Sequence, residues 1–87
     1  MANIVNTESQ NDMQTHIDKA RMIIDNYLPS LYVEEVLKKL PEGHKYSKKV
    51  IRNVRAGLND KIEILTALVE VANENKIKIE KLKNLTT

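Results

Sequence analysis

The sequence predicts an all-α protein, and three observations lead to that prediction. First, the core must be aliphatic, because the 87 residues include no Phe, no Trp and only three Tyr. Second, the chain has only two glycines and two prolines, which is few for the many turns of a sheet protein of this length. Third, apolar residues recur at spacings of three and four, which is the helical period. We expect a compact bundle of four to five helices with a long C-terminal helix.

Size and composition also restrict the classes of function. A chain of 87 residues holds one domain, and a domain of that size has a modest core. The absence of cysteine excludes disulfides and thiolate zinc sites. The two histidines, His16 and His44, lie in different segments without acidic residues at metal-ligand spacing, so we expect neither a metal nor a cofactor. Because no nucleophile with a base and no facing acid pair is visible, we do not expect an enzyme.

The expected location follows from the distribution of apolar residues. The apolar runs are only a few residues long, so no segment is predicted to span a membrane and no membrane partner is expected. The N-terminus lacks a basic segment followed by an apolar one, which is the pattern of a signal peptide. We therefore expect a cytoplasmic protein.

The first helix is predicted after a polar start. Residues 1–11 are mostly polar with little periodicity, and we expect them to form a flexible N-terminal arm. The helix should run from about Asp12, a candidate N-cap, to Tyr27, because Pro29 disfavours helical angles in the residue before it. Its apolar stripe consists of Ile17, Ala20, Ile24 and either Tyr27 or Leu28.

Two short helices are predicted in the middle of the chain. The second helix should run from Ser30, a good cap, to about Leu40. The third should begin at the cap Ser47 and end near Ala56, where Gly57 can adopt the left-handed conformation that closes many helices. The apolar anchors are Val33, Val36, Leu37 and Leu40 in the second helix and Val50, Ile51 and Val54 in the third.

The fourth helix is predicted to start at Asn59 or Asp60 and is strongly periodic through Ala72. It either ends in the polar residues 73–75 or continues to about Asn84, and the absence of Gly and Pro favours continuation. Residues 12–75 then form the helical domain, and residues 76–87 form a C-terminal helical extension. The side of the fourth helix that faces the core should present Ile62, Leu65, Leu68 or Val69, and Ala72.

A second apolar stripe on the fourth helix follows heptad spacing. It consists of Ile64, Leu68, Val71, Asn75, Lys78, Leu82 and Leu85. A lone Asn in such a seam is typical of helices that associate in a fixed register. We therefore predict self-association into a homodimer through Ile64, Leu68, Val71, Asn75, Leu82 and Leu85. The alternative is that both stripes are buried within one monomer.

The formal charge is unevenly distributed, although the net charge is only +2. Residues 38–61 contain eight basic and two acidic residues, a formal charge of +6, whereas residues 1–37 carry −4 and residues 62–87 are neutral. A concentrated positive charge favours attraction to polyanions.

The third helix contains the densest part of this charge. Lys48, Arg52 and Arg55 share one face at spacings of four and three, and Lys49 and Asn53 flank that face. Lys and Arg gain affinity for DNA by neutralising phosphates, while Arg can bind guanine and Asn can bind adenine through two hydrogen bonds each. The pattern indicates a DNA-binding helix, and the alternative is a face that is only solvated.

Three stretches resemble a known class of proteins. They are Tyr32-Val-x-x-Val-Leu-Lys-Lys-Leu, Tyr46-Ser-x-x-x-Ile-Arg-x-Val-Arg-x-Gly, and Ile62-x-Ile-Leu-x-Ala-Leu-x-x-x-Ala-x-Glu-Asn-Lys76. Over about residues 30–76 the chain resembles small helix-turn-helix proteins of phages and mobile elements, similar to repressor and Cro-like domains. The turn of about six residues, 41–46, is longer than the three or four residues of the usual motif.

That resemblance implies binding to double-stranded DNA and a role in the regulation of transcription. The residues that would face DNA are Ser47, Lys48, Lys49, Arg52, Asn53 and Arg55, preceded by Lys45 and Tyr46. Tyr46 is a candidate for stacking on a base, and the alternative is the more usual partial burial of a tyrosine at a helix end with its hydroxyl in water. Two hypotheses follow from the sequence. The chain is either a DNA-binding regulator or accessory factor, or a non-enzymatic protein-interaction module. Such an adaptor or inhibitor would use the basic face or the C-terminal helix.

Overall fold

The computed structural model describes the backbone of residues 2–87 and the side chains of residues 13–87. This part of the chain forms four α-helices and no strand: α1 (Ala2–Tyr27), α2 (Val33–Lys39), α3 (Lys48–Arg55) and α4 (Ile62–Thr86). The all-α prediction and the long C-terminal helix are confirmed. None of the described helices is both long and apolar enough to cross a bilayer.

The two long helices, α1 and α4, lie side by side and run in the same direction. Met13, in the middle of α1, and Ile62, the first residue of α4, line one shared groove. At the other end of the contact, the side-chain amide of Asn75 donates a 2.7 Å hydrogen bond to the carbonyl of Tyr27, the last residue of α1. The helices α2 and α3 cover this pair, and both pack on α4. Residues 76–86 of α4 therefore continue past the end of α1.

All four helices contribute aliphatic side chains to one core. The buried residues are Ile24 from α1, Val36 from α2 with Leu40 after it, Ile51 and Val54 from α3, and Ile64, Leu65, Ala67, Leu68, Val71 and Ala72 from α4. The helix α4 provides the largest share because the other three helices pack against it. Within the described side chains, no buried polar atom lacks a hydrogen-bond partner.

Both ends of α3 agree with the sequence prediction. The hydroxyl oxygen of Ser47 accepts a hydrogen bond from the backbone N–H of Val50 at 3.2 Å, which caps the helix. At the other end, Gly57 has φ +87° and donates its N–H to the carbonyl of Val54 at 3.1 Å. A side chain at Gly57 would be strained in that conformation, so glycine is the residue that fits there.

The starts of the other helices differ from prediction. The helix α2 begins at Val33 after Tyr32, which makes no side-chain cap bond, because residues 28–32 are needed to reverse the chain after α1 and leave Ser30 in the turn. The helix α4 begins at Ile62, since Asn59 is used to close the preceding turn through its side-chain oxygen. The helix α1 begins at Ala2, so the segment predicted as an arm has helical backbone. The predicted start near Asp12 is wrong, because Asp12 lies inside α1 and not at its N-terminus, whereas the flexibility predicted for residues 1–11 stays a prediction.

The two apolar stripes of α4 are distributed differently from the prediction. Ile62, assigned to the core from the sequence, is 52% exposed, whereas Ile64, assigned to a partner-facing seam, is fully buried. The physical reason is that α1, α2 and α3 all pack against α4, so the buried sector is wide enough to include residues from both stripes. The predicted continuation of α4 through residues 73–75 is confirmed.

Candidate nucleic-acid interface

The helix α3 lies on the surface and is anchored through one side only. Ile51 and Val54 are fully buried, and Val50 is half-buried against the same core. These three residues are adjacent or spaced by three and four, so they lie on one side of the helix. The other residues of this eight-residue helix therefore point away from the core. The basic side chains of α3 are therefore at the protein surface.

Two of these basic residues form ion pairs with other helices. The Lys48 ammonium lies 2.8 Å from a carboxylate oxygen of Glu34 in α2. The Arg55 guanidinium lies 2.8 Å from a carboxylate oxygen of Asp25 in α1 and donates a hydrogen bond to it. The hydrogen bond from Lys48, together with its positive charge, lowers the pKa of the Glu34 carboxyl below its usual value. Lys48 and Arg55 are thus partly neutralised within the chain.

Three other basic residues have no such partner among the described side chains. Lys45, Lys49 and Arg52 are exposed, and no described carboxylate lies within 4.0 Å of them. Lys49, Arg52 and the half-buried Asn53 are spaced by three and four residues and share one face of α3. We call Lys49, Arg52 and Asn53 the outer face of α3. It combines two cations with an amide that can donate and accept hydrogen bonds.

Tyr46 is held by the chain itself. Its hydroxyl donates a 2.6 Å hydrogen bond to a carboxylate oxygen of Glu63, and this bond raises the pKa of the phenol above its usual value. Its ring stacks on His44 with 5.8 Å between ring centres, and the Lys61 ammonium lies 5.9 Å from the ring centre. These contacts attach the long turn before α3 to the start of α4. The half-buried ring is therefore held as a structural link, and its stacking on a base stays a prediction.

The residues predicted to mediate self-association are divided by the structure. Ile64, Leu68 and Val71 are buried in the chain's own core, and Asn75 bonds to the end of α1. For these four residues, the alternative of burial within one monomer describes what the structure shows. Leu82 and Leu85, in contrast, are 62% and 74% exposed on the part of α4 that extends past α1.

Arg21 binds the C-terminal end of α3, a role that was not predicted from the sequence. Its guanidinium donates hydrogen bonds to the carbonyl of Val54 and, at 2.9 Å, to the carbonyl of Asn59, and it lies 2.6 Å from a carboxylate oxygen of Asp60. A cation is favourable there because the C-terminal end of a helix carries partial negative charge. The available signal was modest: Arg21 is one of two basic residues among residues 1–37.

The surface also includes a mainly apolar groove. A groove of about 250 Å³ between the middle of α1 and the first half of α4 is lined mainly by apolar side chains, with His16 and Glu70 among the residues that line it. No group of three His, Cys, Asp or Glu in the described residues is arranged to hold a metal ion.

Comparison with protein families, with curated proteins and with solved structures finds no match for this chain.

Proposed function

We propose that this chain is a small protein that binds double-stranded DNA and acts as a transcription regulator or accessory factor. The observation that carries the proposal is the outer face of α3, where Lys49, Arg52 and Asn53 stand together without a described acidic partner. A duplex offers phosphates that bind cations and base edges that bind Arg and Asn. The outer face provides side chains for both kinds of contact.

The arrangement of α2 and α3 supports the same function. The helix α2, a connection of residues 40–47 and the helix α3 follow each other and pack together, as in a helix-turn-helix unit. An α-helix with its side chains is about 10–12 Å in diameter, which suits a major groove about 12 Å wide, and the outer side of α3 is at the surface. In this arrangement Lys45 and Lys49 bind phosphates, and Arg52 and Asn53 reach base edges.

The test is a double substitution, Lys49→Ala with Arg52→Ala, measured by fluorescence anisotropy on duplex DNA across a range of salt concentrations. We expect affinity to fall at least about tenfold and the dependence of log K on log salt to become shallower by about 0.9, because Lys49 loses a phosphate contact and each such contact contributes about 0.9 to the slope. The matched control is Lys19→Ala with Lys38→Ala, which removes the same charge from exposed positions on α1 and α2, outside both α3 and the end of α4. Equal losses in the two double variants would contradict the proposal.

We further propose that two copies of the chain associate through the exposed end of α4. Leu82 and Leu85 continue the heptad line of the buried Leu68 and Val71 beyond the end of α1, where none of the described side chains covers them. A second copy offers the same stripe, and a twofold dimer would place two α3 helices on successive grooves of a duplex.

Substitution of both leucines, Leu82→Ala with Leu85→Ala, is expected to shift the sedimentation equilibrium of the chain towards monomer. The control Met22→Ala with Leu58→Ala removes exposed apolar groups elsewhere and should leave the equilibrium unchanged. Residues 76–87 contain four Lys and one Glu, so two such segments repel each other. Association should therefore strengthen as salt rises, in the opposite sense to DNA binding. A monomeric parent at all salt concentrations would refute the dimer.

The exposed leucines also favour a second candidate function, that of a non-enzymatic protein-interaction module such as an adaptor or inhibitor. This candidate predicts that the parent chain does not bind duplex DNA even at low salt, while the tail substitutions still change its association. The anisotropy and sedimentation experiments together distinguish the two functions.

A further inference from the structure

We propose that Glu34 and Asp25 restrain the binding of α3 to DNA, each by holding one basic side chain of that helix away from phosphates. The inference rests on the proposed function and adds a form of regulation to the same surface. It assigns a role to two acidic residues from different helices, neither of which belongs to the group predicted to contact DNA.

The geometry places the two acids at opposite ends of one row of cations. Lys48, Arg52 and Arg55 share a face of α3, and only the middle residue lacks a described carboxylate within 4.0 Å. Glu34 reaches Lys48 from the start of α2, and Asp25 reaches Arg55 from the end of α1, both at 2.8 Å. The row therefore presents one unpaired cation instead of three.

The two ion pairs also lie where a phosphate could reach them. Glu34, Asp25 and Lys48 are exposed, and Arg55 is half-buried. A phosphate that contacts Lys48 or Arg55 must displace a carboxylate of the same charge and then remain close to it. Each acid thus opposes a phosphate contact twice, through competition for the cation and through repulsion.

The consequence concerns sequence-independent binding most directly. Phosphate contacts supply nearly all of the affinity for random DNA, whereas base contacts supply the discrimination between sequences. By neutralising Lys48 and Arg55 while the outer face of α3 stays unpaired, Glu34 and Asp25 lower the affinity for random DNA more than the ability to read bases. Exposed ion pairs contribute little to folding, so both acids can be replaced without loss of the fold.

The experiment compares Glu34→Gln, Asp25→Asn and the double variant with the parent on a random-sequence duplex. At about 0.1 M salt we expect each single substitution to increase affinity about fivefold, with a salt slope steeper by up to about 0.9 for each cation released. The controls Glu42→Gln and Glu70→Gln make the same change of charge at exposed acids that form no ion pair among the described residues, and their affinities should stay within about twofold of the parent.

The outcomes separate this inference from the proposed function. If the outer-face variant loses affinity but Glu34→Gln and Asp25→Asn leave it unchanged or weaken it, the restraint is refuted while DNA binding stands. An equal gain in the two controls would also refute the restraint, because net charge alone would explain it. If neither the parent nor the double acid variant binds DNA, both proposals fail. Binding by the double variant where the parent binds too weakly to measure would support the restraint. Thermal unfolding of each variant verifies that the fold is intact.

Discussion

Leu68→Ala is expected to lower the free energy of unfolding by about 3 kcal/mol, within the range of about 2–5 kcal/mol for such truncations in a core. Leu68 is fully buried on α4, the helix against which α1, α2 and α3 all pack. Truncation there removes apolar contacts and leaves a cavity that helices held on three sides cannot easily close. Because small domains have only about 5–15 kcal/mol of stability, this single change should be severe.

Urea unfolding followed by far-ultraviolet circular dichroism measures the effect of Leu68→Ala. The control is Leu58→Ala, the same chemical change at a side chain that is 73% exposed, and it should alter stability by no more than about 0.5 kcal/mol. If the two variants lost equal stability, the core described around α4 would be incorrect.

Arg21→Ala is expected to cost about 2 kcal/mol of stability, in the range for hydrogen bonds that involve a charged group. The substitution removes one of the two donors to the carbonyl of Val54, leaves the carbonyl of Asn59 without its donor, and removes the ion pair to Asp60. Most of the loss should come from the two carbonyls, because the exposed Asp60 carboxylate is already well solvated.

Arg21→Lys should recover only part of this stability, since one ammonium cannot reproduce the fork of a guanidinium that bonds to three acceptors. The control is Arg52→Ala, which removes an exposed arginine of the same size and should change stability by about 0.5 kcal/mol or less. Amide hydrogen exchange at the end of α3 should accelerate in Arg21→Ala and not in Arg52→Ala. Full recovery by Arg21→Lys, or no loss in Arg21→Ala, would contradict the role assigned to this residue.

The sequence predicted α3 well because its boundaries depend on local chemistry. A serine that accepts a hydrogen bond three residues later and a glycine with positive φ are both determined within a few residues of the helix. The same reasoning failed at Ser30, which has the right chemistry for a cap but lies in the turn that reverses the chain. Capping propensity marked Ser30 as a suitable residue type, but the length of the turn determined that the helix starts after it.

The assignment of the apolar stripes on α4 could not be read from periodicity. Ile62 and Ile64 are equally apolar, and each begins a stripe with helical spacing. Which one is buried depends on where three other helices approach, and that is a property of the whole fold. Both stripes could be recognised in the sequence, but which residues of each stripe are buried could not be predicted from it.

The candidate interface, too, was predicted only in part from the sequence. The positive charge of α3 was evident from the sequence, and it led directly to the DNA-binding hypothesis. The pairing of Lys48 with Glu34 and of Arg55 with Asp25 joins residues that are distant in the chain. Local sequence patterns do not show which distant acidic residues approach a basic one. The five basic residues therefore looked equivalent in the sequence, whereas two of them form ion pairs in the structure and three do not.

The uninterrupted course of α4 has a mechanical consequence. Its 25 residues contain neither Gly nor Pro, so no hinge separates the core segment from the part that carries Leu82 and Leu85. The eleven residues from 76 to 86 form a lever arm about 16 Å long, and a rotation of ten degrees at the core would displace its tip by about 3 Å. A load applied to the tip would be transmitted as torque to the buried segment of α4, against which the helix that bears the outer face packs.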